Sequence, residues 1–94
     1  MEKVYISGKI KGIENAKEIF NNKQIELEQL GYLITNPFNV CSTLGLLWTE
    51  YMRFDIRALT FCDSIYMLKG WEQSKGANIE LIVAQAIGLK VMYE

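Results

Sequence analysis

The sequence has 94 residues, of which 50% are hydrophobic and 22% are charged, and it carries a net charge of −1. These values predict one soluble domain over residues 1–94 and exclude the positive excess on which binding to long nucleic acids depends. The chain has no histidine, so histidine-based catalysis and histidine-ligated metals are excluded. We expect no metal and no cofactor. Carboxylates, tyrosine or lysine would serve as acid–base groups.

Four runs rich in β-forming residues alternate with three segments of helical periodicity. The runs are Val4–Ser7, Tyr32–Thr35, Ser64–Leu68 and Lys90–Tyr93. This alternation predicts an α/β fold in which a parallel sheet is covered by helices on both faces. We expect a minimal flavodoxin-like three-layer arrangement with strand order 2-1-3-4.

The first helix is predicted to begin at Asn15, a capping residue that has Glu18 three positions later, and to end at Gly31. Its buried face is expected to hold four apolar residues. They are Ile19, Phe20, Leu27 and Leu30. Asn36-Pro37 then ends the second strand.

The second and third helical segments each carry an apolar stripe that one acid interrupts. The stripes are Trp48, Tyr51, Met52, Asp55, Ile56 and Leu59, and Ala77, Glu80, Val83, Ala84 and Ile87. The third helix is expected to begin at the capping residue Ser74 and to end before Gly88. An unpaired ionised carboxylate is costly to bury, so Asp55 and Glu80 either have purely structural partners or belong to a site.

The predicted strand order places a ligand beyond the carboxyl ends of strands 1 and 3. Three segments meet there: Ser7-Gly8-Lys9, Lys69-Gly70-Trp71 and the start of the third helix. Free amides at Ser74–Ala77 offer a seat for an anion, and Gly76 is expected to leave room beside Glu80.

Several other side chains admit both a functional and a structural interpretation. The Tyr5 hydroxyl is a candidate partner of a carboxylate, with packing alone as the alternative, and Trp71 is a candidate to stack on a base. Trp48 is expected in the core, and Asp63 is expected to hold a loop backbone. Lys9 and Lys11 are candidates to approach a phosphate from the loop after strand 1, although such lysines are more often solvated charges.

The residues just described resemble a known family over nearly the whole chain. The resemblance is carried by Tyr5-Ile6-Ser7-Gly8-Lys9-Ile10, Trp48, Tyr51-Met52-Arg53, Asp55-Ile56, Cys62-Asp63, Gly70-Trp71-Glu72, Ser74, Gly76-Ala77, Glu80, Ala86 and Gly88. These positions are similar to the DUF4406 proteins of the nucleoside 2-deoxyribosyltransferase-like superfamily. They are also similar to deoxynucleoside 5′-monophosphate N-glycosidases.

The resemblance implies cleavage of an N-glycosidic bond through a covalent glycosyl-enzyme. Glu80 would be the nucleophile, and Asp55 would be the acid that assists the leaving base. The nucleotide would be contacted at Gly8, Lys9, Ser74 and Gly76. In the transferases a neighbouring subunit completes the pocket, so the resemblance and the small size together favour a homodimer or larger homo-oligomer.

Cys41 and Cys62 lack the spacing of a disulfide framework or a zinc site. No signal peptide is recognisable, and no apolar run is long enough to span a bilayer, so we expect a cytoplasmic protein without membrane contact. Three functions stay open: an enzyme acting on a nucleoside or its 5′-monophosphate, a nucleotide-binding or sensing module, and an interaction domain with a vestigial crevice.

Overall fold

The fold is described by a computed structural model that covers residues 1–94. Its elements are β1 (Lys3–Ser7), α1 (Ala16–Gln29), β2 (Leu33–Thr35), α2 (Trp48–Leu59), β3 (Ser64–Met67), α3 (Lys75–Ala86) and β4 (Lys90–Tyr93). Short 3-10 helices, Pro37–Asn39 and Trp71–Gln73, follow β2 and β3. The four strands agree with the predicted runs to within one residue at each end. None of the helices combines the length and the apolar character needed to cross a membrane.

The four strands form one parallel sheet in the order β2-β1-β3-β4. This order confirms the predicted α/β fold. In the register of the two central strands, Val4 aligns with Ser64 and Ser7 aligns with Met67. The carboxyl ends of β1 and β3 therefore lie side by side, where the winding direction reverses and ligands bind in folds of this kind.

The core is divided into two clusters by the sheet. On the α1 side lie Val4, Ile6, Phe20, Leu27 and Leu68. On the α2 and α3 side lie Tyr5, Leu59, Cys62, Ile65, Met67, Ala77, Leu81 and Ala84. Because successive side chains of a strand point to opposite faces, β1 contributes to both clusters.

The helices α1 and α3 end in the same way. Gly31 follows α1 with φ +96°, and the amide of Tyr32 donates to the carbonyl of Leu27 at 3.2 Å. Gly88 follows α3 with φ +80°. Glycine adopts this left-handed conformation without steric cost, so both predicted helix ends are confirmed.

The predicted N-terminal cap and buried face of α1 were partly wrong. Asn15 precedes the helix, but its side chain makes no capping hydrogen bond. Ile19 is 40% exposed and Leu30 is 70% exposed. Only a narrow strip of α1, with Phe20 and Leu27 as its large members, meets the sheet. Ile87 on α3 is likewise half exposed, because it lies at the last turn, beyond the packed face.

Candidate active site

A cleft of about 980 Å³ opens at the carboxyl end of β1, between α2, α3 and the loops that follow β1 and β2. Its volume is at the upper end of the range of small-molecule sites. Asp55 of α2 and Glu80 of α3 both line it. The structure therefore brings together the two acids that interrupt the apolar stripes.

The carboxylate of Glu80 is held by two hydroxyl groups of β1. The Tyr5 hydroxyl donates to Oε2 and the Ser7 hydroxyl donates to Oε1, each at 2.7 Å. Glu80 is only 5% exposed, and Tyr5 and Ser7 are fully buried. Both carboxylate oxygens thus have a donor, which is the condition for burying this group.

Sequence periodicity explains why these three side chains meet. Tyr5 and Ser7 are two positions apart on β1, so both face α3. Ala77 and Ala84 lie on the same face of α3 as Glu80 and are buried beside it. Their small side chains allow the helix to approach the sheet closely enough for a glutamate to reach the hydroxyls.

The two acids have raised pKa values. Burial raises the pKa of Glu80 to about 7, the hydrogen bonds from Ser7 and Tyr5 act in the opposite direction, and the charge of Asp55 raises it further. Burial raises the pKa of Asp55 to about 6. The pKa of Tyr5 is raised well above its ordinary value, chiefly by burial and then by the charge of Glu80, so the phenol remains a donor. Near neutral pH the two carboxyl groups can therefore divide one proton between them.

The N-terminus of α3 forms one wall of the cleft. The Ser74 hydroxyl accepts a hydrogen bond from the Ala77 amide at 3.1 Å, which confirms the predicted cap. The amides of Lys75 and Gly76 have no acceptor within the chain. These two amides point along the helix axis toward the position that an anion would take.

Three lysines add positive charge to this wall and to the loop after β1. They are Lys9, Lys11 and Lys75, all of which line the cleft. The Lys75 ammonium also lies 4.9 Å from the centre of the Trp48 ring. The cleft thus has acidic groups at Asp55 and Glu80 and basic groups at its rim.

Two glycines at the site are required by close packing. A Cβ on Gly8 would lie 2.9 Å from Cδ1 of Leu68, so glycine lets the loops after β1 and β3 approach each other. A Cβ on Gly76 would lie 3.1 Å from Sδ of Met52 and 3.8 Å from the Trp48 ring. The space that a side chain at position 76 would enter is therefore occupied by α2. The sequence suggested instead that Gly76 leaves open space beside Glu80.

Three sequence-predicted ligand contacts are corrected by the structure. Gly70 and Trp71 do not line the cleft, and the Trp71 ring instead packs against the core cluster on the α3 side, 6.1 Å from the ring of Tyr93. Ser7 is not among the residues that line the cleft, and its hydroxyl donates to Glu80 instead. Trp48 is a correction of the opposite kind. It is predicted in the core, but it is 47% exposed and lines the cleft.

Sequence reasoning missed the wall that the loop after β2 supplies. Its lining residues are Phe38, Cys41, Thr43 and Leu44. The Asn36 side chain accepts a hydrogen bond from the Phe38 amide, and the Tyr51 hydroxyl donates to the Thr43 carbonyl. The predicted strand order implied this wall. Because β2 lies beside β1 in a parallel sheet, the loop after β2 begins at the same edge of the sheet as the loop after β1.

Asp63 has the structural role that the sequence suggested. Its Oδ2 accepts a hydrogen bond from the Lys3 amide at 2.9 Å. Asp63 also accepts at its carbonyl from the Lys90 amide. These contacts lie at the amino ends of the strands, at the edge of the sheet opposite the cleft.

Comparison with known proteins gives a family and a fold. The family model described as a domain of unknown function, DUF4406, matches residues 2–93. A search of curated proteins gave no match. Among solved structures, the 2-desoxiribosyltransferase from Leishmania mexicana has a TM-score of 0.76 and 18% identity, over 99% of this chain and 63% of that chain. The chain thus spans less than two thirds of the transferase, and the likeness is one of fold.

Proposed function

Given that the chain belongs to the DUF4406 family, whose description states no activity, we propose from the site that it breaks the N-glycosidic bond of a nucleoside or its 5′-monophosphate. Either water or a second base accepts the sugar. The observation that carries this proposal is a buried glutamate held by two hydroxyl donors in a cleft that a second carboxyl group also lines. A pair of carboxyl groups with raised pKa values suits glycosyl transfer, which needs one nucleophile and one proton donor.

In the first step, an oxygen of ionised Glu80 attacks C1′ of the sugar. The bond between C1′ and the base nitrogen breaks, and its electron pair goes to the base. Protonated Asp55 gives its proton to the leaving base. The products are a free base, a glycosyl ester on Glu80 and an ionised Asp55.

In the second step, ionised Asp55 takes a proton from water or from the N–H of a second base. The deprotonated oxygen or nitrogen attacks C1′, and the ester bond to Glu80 breaks. Glu80 leaves as a carboxylate and Asp55 is again protonated, so the site returns to its starting state. Hydrogen bonds from Tyr5 and Ser7 orient Glu80 in both steps.

The basic rim favours the 5′-monophosphate over the free nucleoside. Lys9 and Lys11 line the cleft together with the N-terminus of α3, where the Lys75 and Gly76 amides have no acceptor in the chain. A phosphate at this position would accept hydrogen bonds from the amides and interact with the ammonium groups. The sugar would then lie between this wall and Glu80.

A second candidate function is nucleotide binding without turnover. The same amides and lysines support it, since none of them needs an ionised Glu80. Both functions fit a reducing compartment such as the cytoplasm, because Cys41 and Cys62 are free thiols. Both also allow self-association of the chain, which its small size favours.

Release of free base tests the enzymatic proposal. The protein is incubated with each of the four deoxynucleoside 5′-monophosphates and with the free deoxynucleosides, and free base is measured by chromatography. We expect release from at least one nucleotide and none above background with Glu80→Gln. Addition of a second base distinguishes exchange from hydrolysis. If no substrate yields more base than the Glu80→Gln control, the proposal is wrong.

Covalent trapping tests the role of Glu80 directly. A 2-fluoro-2-deoxy nucleoside analogue slows the second step, so a glycosyl-enzyme should accumulate and raise the protein mass by one sugar. We expect the adduct on the peptide that contains Glu80. A nucleotide-dependent rise in melting temperature that persists in Glu80→Gln, without adduct or product, would support the binding module instead.

A further inference from the structure

The loop after β2, residues 36–47, forms one wall of the cleft, but its backbone is only partly held. A 3-10 helix occupies Pro37–Asn39, and the backbone of residues 41–46 makes no hydrogen bond to another backbone group. Leu44 lines the cleft and is 90% exposed, so packing does not hold this part of the wall. The position of the wall therefore depends on side-chain contacts.

Asn36 makes three of these contacts and is the only buried amide side chain of the protein, at 2% exposure. Its Oδ1 accepts a hydrogen bond from the Phe38 amide at 3.0 Å. Its Nδ2 donates to Oδ1 of Asn21 at 2.9 Å and to Oε1 of Gln24 at 3.0 Å, both on α1. Because a backbone amide can only donate, the Asn36 oxygen must face Phe38 and its NH₂ group must face α1.

Two further contacts complete the attachment of the wall. The Phe38 ring lies 5.2 Å from the Phe20 ring of α1 in an edge-to-face arrangement, and Phe38 also lines the cleft. Farther along the loop, the Tyr51 hydroxyl of α2 donates to the Thr43 carbonyl at 2.8 Å. The wall is thus tied to α1 at its start and to α2 near its middle.

We propose that Asn36 is a positioning residue for the candidate site: it fixes the wall after β2 to α1 and so sets how tightly the cleft holds its substrate. Apolar contact between Phe38 and Phe20 brings the wall to α1 but is non-directional, whereas three hydrogen bonds fix direction and distance. The inference rests on the proposed function for its substrate, while the contacts of Asn36 stand without it.

Kinetics of Asn36→Ala test this role. A wall that only encloses the substrate contacts the ground state and the transition state alike, so its displacement should raise KM and spare kcat. We expect KM for a 5′-monophosphate to rise about tenfold and kcat to stay within about twofold. Asn39→Ala is the matched control, because Asn39 is exposed in the same loop and its side chain makes no hydrogen bond. It should leave both constants unchanged.

The partner on α1 provides a second variant, which also serves if Asn36→Ala does not fold. Asn21→Ala removes one acceptor of the Asn36 amide and changes no residue of the cleft. It should raise KM in the same direction by a smaller factor of about three. Asn22→Ala is its control, because the neighbouring Asn22 is exposed and its side chain makes no hydrogen bond.

The Cys41 thiol reports the position of the wall without any substrate. Cys41 is half-buried and lines the cleft, whereas Cys62, the other free thiol, is buried. Asn36→Ala should raise the rate at which a chromogenic disulfide modifies Cys41 by about tenfold, with the labelled thiol identified by mass spectrometry. Leu27→Ala should lower the melting temperature but leave this rate within about twofold, because Leu27 makes none of the contacts that tie the wall.

The outcomes separate the role of Asn36 from the proposed chemistry. An Asn36→Ala variant with a lowered melting temperature but wild-type KM and Cys41 reactivity would show a purely structural residue and overturn the proposal. Equal changes in Asn39→Ala would also overturn it, because they would belong to the loop as a whole. If the wild type releases no base but the Cys41 rates still distinguish Asn36→Ala from Asn39→Ala, the chemistry is wrong and the positioning of the wall is supported.

Discussion

The two faces of β1 bury side chains of different character. Val4 and Ile6 face α1, where the cluster that they join is entirely apolar. Tyr5 and Ser7 face α3, where their hydroxyls hold the carboxylate of Glu80. A single five-residue strand thus supports a stabilising core on one face and the candidate site on the other.

This difference separates stability from chemistry. The α1 face gains free energy of folding from apolar burial alone. The α3 face buries an acid whose pKa is raised to about 7, so its ionised form reduces stability. Neutralising the acid on the α3 face should therefore stabilise the protein and abolish activity, whereas truncating an apolar side chain on the α1 face should destabilise it and leave kcat unchanged.

The largest effect is expected from Glu80→Gln. Loss of the proposed nucleophile should reduce kcat by a factor on the order of 10⁴, because the remaining groups cannot form the glycosyl ester. The same change should increase the free energy of unfolding at pH 8 by about 2–3 kcal/mol, since a buried charge is replaced by a neutral amide. Urea unfolding and steady-state kinetics on the same preparations measure both.

The pH dependence of stability provides the matching control. The folded-state pKa of Glu80, about 7, lies above its ordinary value, so the folded protein binds more protons between those two values. The wild-type free energy of unfolding should therefore fall as pH rises from about 4.5 to about 7. In Glu80→Gln the fall should be smaller and should end near pH 6, because only the raised pKa of Asp55 remains. An equally steep fall in the variant would assign it to another group.

Leu27→Ala tests the opposite face. Leu27 is 4% exposed in the α1 cluster, and its truncation should cost about 3 kcal/mol of stability through lost burial and a cavity. Below the melting transition kcat should remain within about twofold of wild type, because no cleft residue is changed. A loss of kcat in the folded variant comparable to that of Glu80→Gln would contradict the separation of the two faces.

Asp55→Asn tests the second carboxyl group. The proposed reactive form has Glu80 ionised and Asp55 protonated, which is the less populated of the two singly protonated forms because the pKa of Glu80, about 7, is above that of Asp55, about 6. Wild-type kcat should still follow a bell-shaped pH profile with its maximum between these two values. The variant should lose about a hundredfold in kcat and the alkaline limb of the profile. Its single acidic limb should then report the ionisation of Glu80 alone, without the Asp55 charge that contributes to the raised pKa of Glu80 in the wild type. An unchanged alkaline limb would exclude Asp55 as the acid.

The smallest effect is expected from Ser7→Ala. Its hydrogen bond lowers the pKa of Glu80, so its removal should shift that pKa to a higher value and reduce kcat a few-fold at pH 6, because less of the proposed nucleophile is ionised. Ser64→Ala is the control, because Ser64 is equally buried on β3 but donates to Glu2. A similar shift in both variants would indicate a general loss of packing.

Much of the fold was predictable from the sequence, and the reasons are local. Strand and helix periodicity located the elements, and Gly31 and Gly88 marked two helix ends. The strand order followed from the alternation of elements together with the handedness of crossovers. The two acids stood out because a carboxylate inside an apolar stripe breaks a pattern that needs no tertiary information.

The cleft walls were harder to predict. Trp48 belongs to an apolar stripe and was assigned to the core, but the helix end on which it lies extends past the sheet into the cleft. Trp71 lies in the loop after β3 and is predicted at the cleft, but its ring packs against the core cluster instead. Periodicity reports which side chains share a face and does not report where that face ends.

The sequence by itself determined the strands, their order, the glycine ends of the helices and the identity of the two candidate acids, because these depend on short-range patterns and chain connectivity. Only the tertiary structure decided which groups hold Glu80 and which loops surround it. Its two hydroxyl partners lie 75 and 73 positions away along the chain. Contacts over such separations depend on how closely α3 packs against β1, and no local pattern specifies that distance.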